Sequence, residues 1–150
     1  MRIEIRRATP KDERRATEIA RVAKAHWGYP SEWLEAWKED LAIRDVERHV
    51  TFVASLDGEV VGVCQLQPSD AHVYLEHLWV DPQAHGRGVG RALVEHARSE
   101  SHGIIAIVAD PNAEEFYLRL GARRVGEVAA PMPGAPERRL PLLELDSAPL

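Results

Sequence analysis

The sequence predicts an α/β fold of the α+β kind: a mixed sheet with helices on its faces, in the order β-α-α-β-β-β-α-β-α-β-β. Three observations predict it. Apolar residues alternate over short runs near the N-terminus, in the middle and near the C-terminus. Segments with helical spacing lie between those runs. A nearly continuous apolar run, Ile104 to Ala109, has the texture of a buried parallel strand.

Each element has a local reason. Ile3 and Ile5 alternate with Arg2, Glu4 and Arg6, as in a short strand. Thr9, Pro10 and Asp12 supply a helix start, with Thr9 as N-cap, proline at the first helical position and an acid in the first turn. Ala16, Ile19, Ala20 and Ala23 keep helical spacing until Gly28. Tyr29 and Pro30 break the chain, and Ser31 caps an expected second helix carrying Trp33, Leu34, Trp37 and Leu41. Phe52 to Leu56 and Val60 to Leu66 read as a hairpin around Asp57-Gly58. A third run spans His72 to Val80. A glycine-rich segment, Asp81 to Gly90, then opens into an amphipathic helix from Arg91, ending near Gly103. Asn112 to Leu120 reads as a helix stopped by Gly121. Val125 to Val128 and Leu140 to Leu145 read as the last strands, with a Pro/Gly loop at 131–136 between them.

A chain of 150 residues suits one domain, 1–150, with no internal boundary. Hydrophobic residues make up 45% and charged residues 29%, which excludes disordered and fibrous classes. The net charge of −5 disfavours nucleic acid and anionic lipid as partners. Cys64 is the single cysteine, so no internal disulfide or cysteine metal cluster forms. The N-terminus is charged and alternating, unlike a signal peptide, and no apolar run reaches the length of a membrane span. These features together lead us to expect a cytoplasmic protein. The spacing of His72, His77 and His85 is not that of metal ligands, so no metal is expected.

The sharpest signal runs from Val80 through His85, Gly86, Arg87, Gly88, Val89 and Gly90 to Arg91. Glycines let a backbone turn tightly and bring its N–H groups against a ligand. The first N–H groups of a helix lack internal partners and carry the positive end of its dipole, which suits a phosphate. Arg87 and Arg91 add cationic side chains. A P-loop would end Gly-Lys-Ser/Thr, whereas this loop ends Gly-Arg-Ala. A dinucleotide fold would place it after the first strand, whereas it follows the fourth.

Leu78-Trp79-Val80-Asp81-Pro82, followed by His85-Gly86-Arg87-Gly88-Val89-Gly90, resembles the coenzyme A signature of the GNAT family of N-acetyltransferases, Arg/Gln-x-x-Gly-x-Gly/Ala. His85 stands at the Arg/Gln position. A second register, Gln83 to Gly88, also fits, and the later one places Pro82 and the helix start at their usual positions. Asn112 to Ala122, containing Phe116, Tyr117 and Gly121, resembles the second family segment. The resemblance implies a mixed, mostly antiparallel sheet of six to seven strands with about four helices. It implies acetyl-CoA as cosubstrate, gripped by Gly86, Gly88, Val89 and Gly90 with His85, Arg87 and Arg91. Backbone groups of Leu78, Trp79 and Val80 would follow the pantetheine arm, beside Asn112 and Phe116. It also implies direct attack by an amine in a ternary complex, without an acyl-enzyme. Dimers are common in the family, so a homodimer is possible.

Such a reaction needs a base for the amine, donors for the oxyanion and a proton for the leaving thiolate. Tyr117 matches the family tyrosine near the coenzyme sulfur and is the candidate acid. The plainer reading packs Phe116 and Tyr117 together against the sheet. Glu76 interrupts an apolar strand and is the candidate base. Burial would raise its pKa to a useful value, and an ion pair with an arginine is the structural alternative. His77 and Asp110 are further candidates for the base. Simple alternation places Glu76 with Leu78 and Val80, and His77 with Leu75 and Trp79. Cys64, flanked by apolar residues, reads as core.

Trp27, Trp33 and Trp37 lie in the two N-terminal helices, which in this family line the acceptor site. They form either an aromatic wall for a cationic or flat substrate or ordinary core. The expected partner is an amine of a small molecule or a peptide. A non-catalytic coenzyme A sensor is the alternative function. A ligand-free partner-binding module fits less well, because a glycine loop weakens a fold it does not serve.

Overall fold

The computed structural model describes residues 2–147 of the chain. Its strands are β1 (Ile3–Arg7), β2 (Val50–Leu56), β3 (Glu59–Pro68), β4 (His72–Val80), β5 (Ile104–Val108), β6 (Arg123–Ala129) and β7 (Arg139–Asp146). Its helices are α1 (Glu13–His26), α2 (Ser31–Ala36), α3 (Val89–Ser99) and α4 (Glu114–Arg119). The strands form one sheet in the order β1-β2-β3-β4-β5-β7-β6. Among the described residues only β4 and β5 run parallel; every other neighbouring pair is antiparallel. This is the mixed, mostly antiparallel architecture expected.

The elements form where their residues favour them. Asp57, at φ 50°, and Gly58, at φ 87°, supply the two positive φ angles that a tight hairpin between β2 and β3 requires. Pro10–Asp12 forms a 3-10 turn before α1, and the Asp12 carboxylate accepts the Thr9 backbone N–H at 2.8 Å. The second helix is shorter than expected. It follows Pro30 rather than a Ser31 cap and ends at Ala36, so Trp37 sits at its C-cap and Leu41 in the turns beyond. A 3-10 turn at Pro111–Ala113 precedes α4.

Each face of the sheet carries its own core. Phe52, Leu56, Cys64 and Leu66 pack under Val89, Leu93 and Ala97 of α3. Val53 and Val63 face the other way, onto Ala16 and Ala20 of α1 with Ile43 and Val46. A third cluster joins Val94 and Tyr117 to Ile105, Ile107, Leu143 and Leu145. A side chain the size of Leu93, fully buried here, contributes about 1.5–3 kcal/mol of apolar burial. Gly62 lets α3 approach the sheet closely: a Cβ there would lie 2.9 Å from Val89 Cγ1 and 3.0 Å from Leu93 Cδ1.

One irregularity shapes everything that follows. Gln65 pairs with His77 and Leu66 with Leu75, so Glu76 is an extra residue in β4. A bulge resets the alternation. Leu75, Leu78 and Val80 therefore all pack toward α3, while Trp79 packs toward α1. The expectation that Leu75 shares a face with His77 and Trp79 is corrected by this extra residue.

Candidate active site

The parallel ladder between β4 and β5 runs only from His72↔Ile104 to Tyr74↔Ala106. Beyond it the two strands part, and the extra residue Glu76 falls at the point of divergence. The gap opens a cleft of about 550 Å3, a size suited to a small ligand or part of a larger one. Leu75, Glu76, Leu78, Trp79 and Val80 form one wall, and Ile107, Val108, Ala109 and Asp110 the other. The edge that β4 presents to the gap has no strand partner there. It suits a ligand with amide groups, which can pair with a strand edge as a peptide does.

The glycine loop closes one end of the cleft. His85, Gly86, Gly88, Val89, Gly90 and Arg91 line it. Gly88 is the N-cap of α3 at φ 82°, and Gly86 sits at φ 79°, both in the left-handed region that glycine enters without strain. Ala92 is the first residue of α3 whose N–H bonds back, to Gly88 O at 3.0 Å, so the preceding amides of the first turn are left for a ligand. Gly90 permits the fit of α4 against this turn, since a Cβ would stand 3.2 Å from Phe116 Cζ. Arg87 is exposed and does not line the cleft, whereas Arg91 does, joined by Arg119, which sequence reasoning missed.

Tyr117 and Phe116 line the cleft from α4, their rings 5.1 Å apart. Tyr117 is 6% exposed, and burial pushes its phenol well up, so it stays protonated at neutral pH. Among the described residues its hydroxyl has no hydrogen-bond partner. Tyr117 thus combines the two readings offered for it: it belongs to the core cluster under β5 and it faces the cleft. Cys64 is fully buried in the core, and burial raises its thiol to about 12. An un-ionised thiol shut in the core is no nucleophile.

Glu76 lines the cleft but is exposed, which removes the argument that burial tunes it. Among the described residues it makes no ion pair, so the alternative pairing with an arginine is absent. His77 lies on the α1 face and does not line the cleft. Burial first, and then neighbouring His49, lower its pKa to about 4, and its Nδ1 accepts Trp79 Nε1–H at 3.0 Å. Asp110 lines the cleft and is tightly held. Lys24 Nζ lies 2.6 Å from Oδ2, the Tyr29 hydroxyl 2.9 Å from both oxygens, and the Asn112 N–H 2.8 Å from Oδ1. Burial alone would raise the Asp110 carboxyl, but these partners outweigh it and hold it below the usual carboxylate range. Asn112, placed among the coenzyme residues, lines the cleft and also donates through Nδ2 to Asp110 and Tyr29.

The three tryptophans separate. Trp33 and Trp37 pack with Tyr29, at ring distances of 5.8 and 5.1 Å from it, while Trp27 stands apart, 42% exposed at the cleft. The cluster already holds cations of this chain. Lys24 Nζ sits 4.4 Å from the Trp37 ring, and Arg138 lies 5.2–5.8 Å from the rings of Trp37, Trp33 and Tyr29. Trp33 Nε1 also donates to Pro133 O at 2.9 Å, fastening the 131–136 loop to α2. Arg138 lies about a hundred residues further along the chain than the aromatic rings it touches, and no local spacing signals it.

Comparison with known proteins agrees with this geometry. Residues 47–121 match the family model described as acetyltransferase (GNAT) domain. The chain is 30% identical over 133 residues to an aminoglycoside N(6')-acetyltransferase type 1 of Stenotrophomonas maltophilia, spanning 81% of this chain and 84% of that protein. It is 32% identical over 74 residues to the peptidyl-lysine N-acetyltransferase YjaB of Salmonella typhimurium, 48% of this chain and 49% of that one. Its fold matches PaiA N-acetyltransferase from Thermoplasma acidophilum, solved with coenzyme A, at a TM-score of 0.78 and 18% identity over 97% of this chain and 99% of that one. The chain belongs to the GNAT acetyltransferase family and is an N-acetyltransferase that draws its acetyl group from acetyl-CoA.

Proposed function

We propose that this enzyme acetylates a primary amine of a small molecule or a peptide by direct attack on acetyl-CoA within a ternary complex. One observation carries the reading: a single cleft connects the open amides of α3 to the Tyr117 phenol along the free edge of β4. A pyrophosphate at the first turn of α3 suits its dipole and amides. The amide-bearing arm then lies along β4, with Asn112 and Phe116 opposite, and brings the thioester toward Tyr117.

In the reaction the amine nitrogen bonds to the acetyl carbonyl carbon, and the carbon–sulfur bond breaks. The Tyr117 O–H gives its proton to the departing sulfur; burial keeps the phenol protonated, so the proton is in place when the bond breaks. The acetylated nitrogen gives up its proton to Glu76, directly or through a water. Glu76 is the base favoured by position: it lines the cleft with its oxygens unclaimed, whereas those of Asp110 are taken by Lys24, Tyr29 and Asn112. His77 faces the other side of the sheet.

The relatives act on an aminoglycoside and on peptidyl-lysine, which frames the acceptor class. The test is release of free thiol from acetyl-CoA across a panel of aminoglycosides, polyamines and lysine peptides. Amine-dependent release is expected. Saturable coenzyme binding with no release for any amine overturns the reading in favour of a sensor.

A further inference from the structure

Two histidines meet where the glycine loop passes the end of α1. The rings of His26, in the last turn of α1, and His85, at the start of the loop, lie edge to face with centroids 5.3 Å apart. His85 lines the cleft, as does Trp27, which follows His26 and packs on its ring at 5.7 Å. Among the described residues neither imidazole makes a hydrogen bond or an ion pair. The nearby charges are otherwise engaged or cationic. Asp81, at the end of β4, is bound by Arg15 of α1 at 2.9 Å and by the Gln83 N–H at 3.0 Å. Arg15 also pairs with Glu18. Lys24 is held by Asp110. Arg87 of the loop and Arg91 of α3 are both positive.

Resting on the coenzyme reading above, we propose that His26 joins His85 in binding the coenzyme's pyrophosphate, and that this pair makes coenzyme affinity depend on proton uptake. The two imidazoles are in contact, and Asp81, the carboxylate that interacts electrostatically with His85, is already bound by Arg15. A diphosphate at the α3 N-terminus supplies the missing counter-charge. It favours the imidazolium forms, which return charge-assisted N–H bonds to its oxygens. Imidazole is the side chain whose charge ordinarily changes between pH 5 and 8, so the consequence is to be sought in that range. A guanidinium at position 85 would bind the same anion with no such dependence. The sign follows from linkage: a ligand that prefers the protonated pair binds more tightly as pH falls.

The test uses dephospho-CoA, because the 3'-phosphate of coenzyme A is a monoester that itself titrates near ~6. Calorimetry on the full chain at pH 6 and pH 8, in two buffers of different ionisation enthalpy, reads affinity and proton uptake together. Binding about tenfold tighter at pH 6, with net proton uptake, is expected. His26→Gln and His85→Gln should each lower the uptake, and the double variant should bind equally at both pH values. His85→Arg should keep tight binding at pH 8 with a shallower pH dependence. Both side chains are exposed, so the variants should keep the wild-type melting curve. An unchanged pH slope in the double variant, or in His26→Gln alone, overturns the proposal while leaving coenzyme binding intact. Absence of binding by the wild-type chain at either pH overturns the coenzyme reading itself.

Discussion

Lys24 of α1 and Asp110 at the end of β5 pair at 2.6 Å with side chains only 11% and 9% exposed, tying the helix to the rim of the cleft. Breaking such a pair leaves a lone buried charge, so Asp110→Asn should cost about 3–5 kcal/mol at pH 7 in urea unfolding. The pH dependence has a definite sign. The Asp110 carboxyl titrates below its unfolded value. Its contribution is therefore complete above the unfolded pKa, near ~3.9, and is lost as pH falls through the lower folded value. The gap between wild type and Asp110→Asn should hold from pH 7 to 5 and narrow in stronger acid. A gap that stays constant down to pH 2 refutes the assignment.

Gly62 and Gly58 separate packing from backbone strain. Alanine at 62 drives a methyl into Val89 and Leu93 and pushes the first turn of α3 off the sheet. It should destabilise the fold by about 1–3 kcal/mol and weaken coenzyme binding. Alanine at 58 meets no neighbour within 4 Å but must adopt φ +87°, a strain of about 1–2 kcal/mol. That variant should lose similar stability and keep wild-type coenzyme affinity, because the hairpin lies away from the cleft. Equal affinities in both variants would contradict the role given to the α3 approach.

The sequence made some of this legible and hid the rest for identifiable reasons. Strands and the glycine loop announce themselves locally: His72 to Val80 alternates well enough to mark β4, and Gly86 and Gly88 mark a backbone that must enter the left-handed region. The bulge at Glu76 is different. It depends on how β4 meets Gln65 and Leu66 of the neighbouring strand, so alternation counted along one strand placed Leu75 on the wrong face and buried Glu76. The clamp around Asp110 draws Lys24 and Tyr29 from more than eighty residues away. The length of α2 misled because Trp37 and Leu41 keep helical spacing while packing inward from turns.

Arg138 holds the 131–136 loop against α2 through three aromatic rings and donates to Ala130 O at 3.2 Å. Arg138→Ala removes a planar cation that lysine does not replace. Stability should fall by about 0.5–2 kcal/mol, with a change in tryptophan emission from Trp33 and Trp37. Because the loop is fastened to Trp33 of α2, one of the two helices expected from the family resemblance to line the acceptor site, KM for the amine should rise while KM for acetyl-CoA stays at its wild-type value. A rise in the coenzyme KM instead would place the loop at the wrong end of the cleft.

Tyr117→Phe tests the chemistry most directly, because the substitution keeps the ring that packs with Val94, Ile107 and Leu143 and removes only the hydroxyl. Among the described residues that hydroxyl bonds to nothing, so its loss should leave the melting temperature nearly unchanged. Turnover is another matter, since the thiolate then leaves without its proton. A general acid is worth about 10^2–10^4-fold, and kcat should fall within that range with coenzyme affinity retained. The wild-type pH profile should also lack a falling limb from Tyr117 below pH 10, since burial moves its ionisation upward. Steady-state kinetics from pH 6 to 10 on both forms measures each quantity. Wild-type kcat in the phenylalanine variant would remove Tyr117 from the mechanism and leave it a core residue.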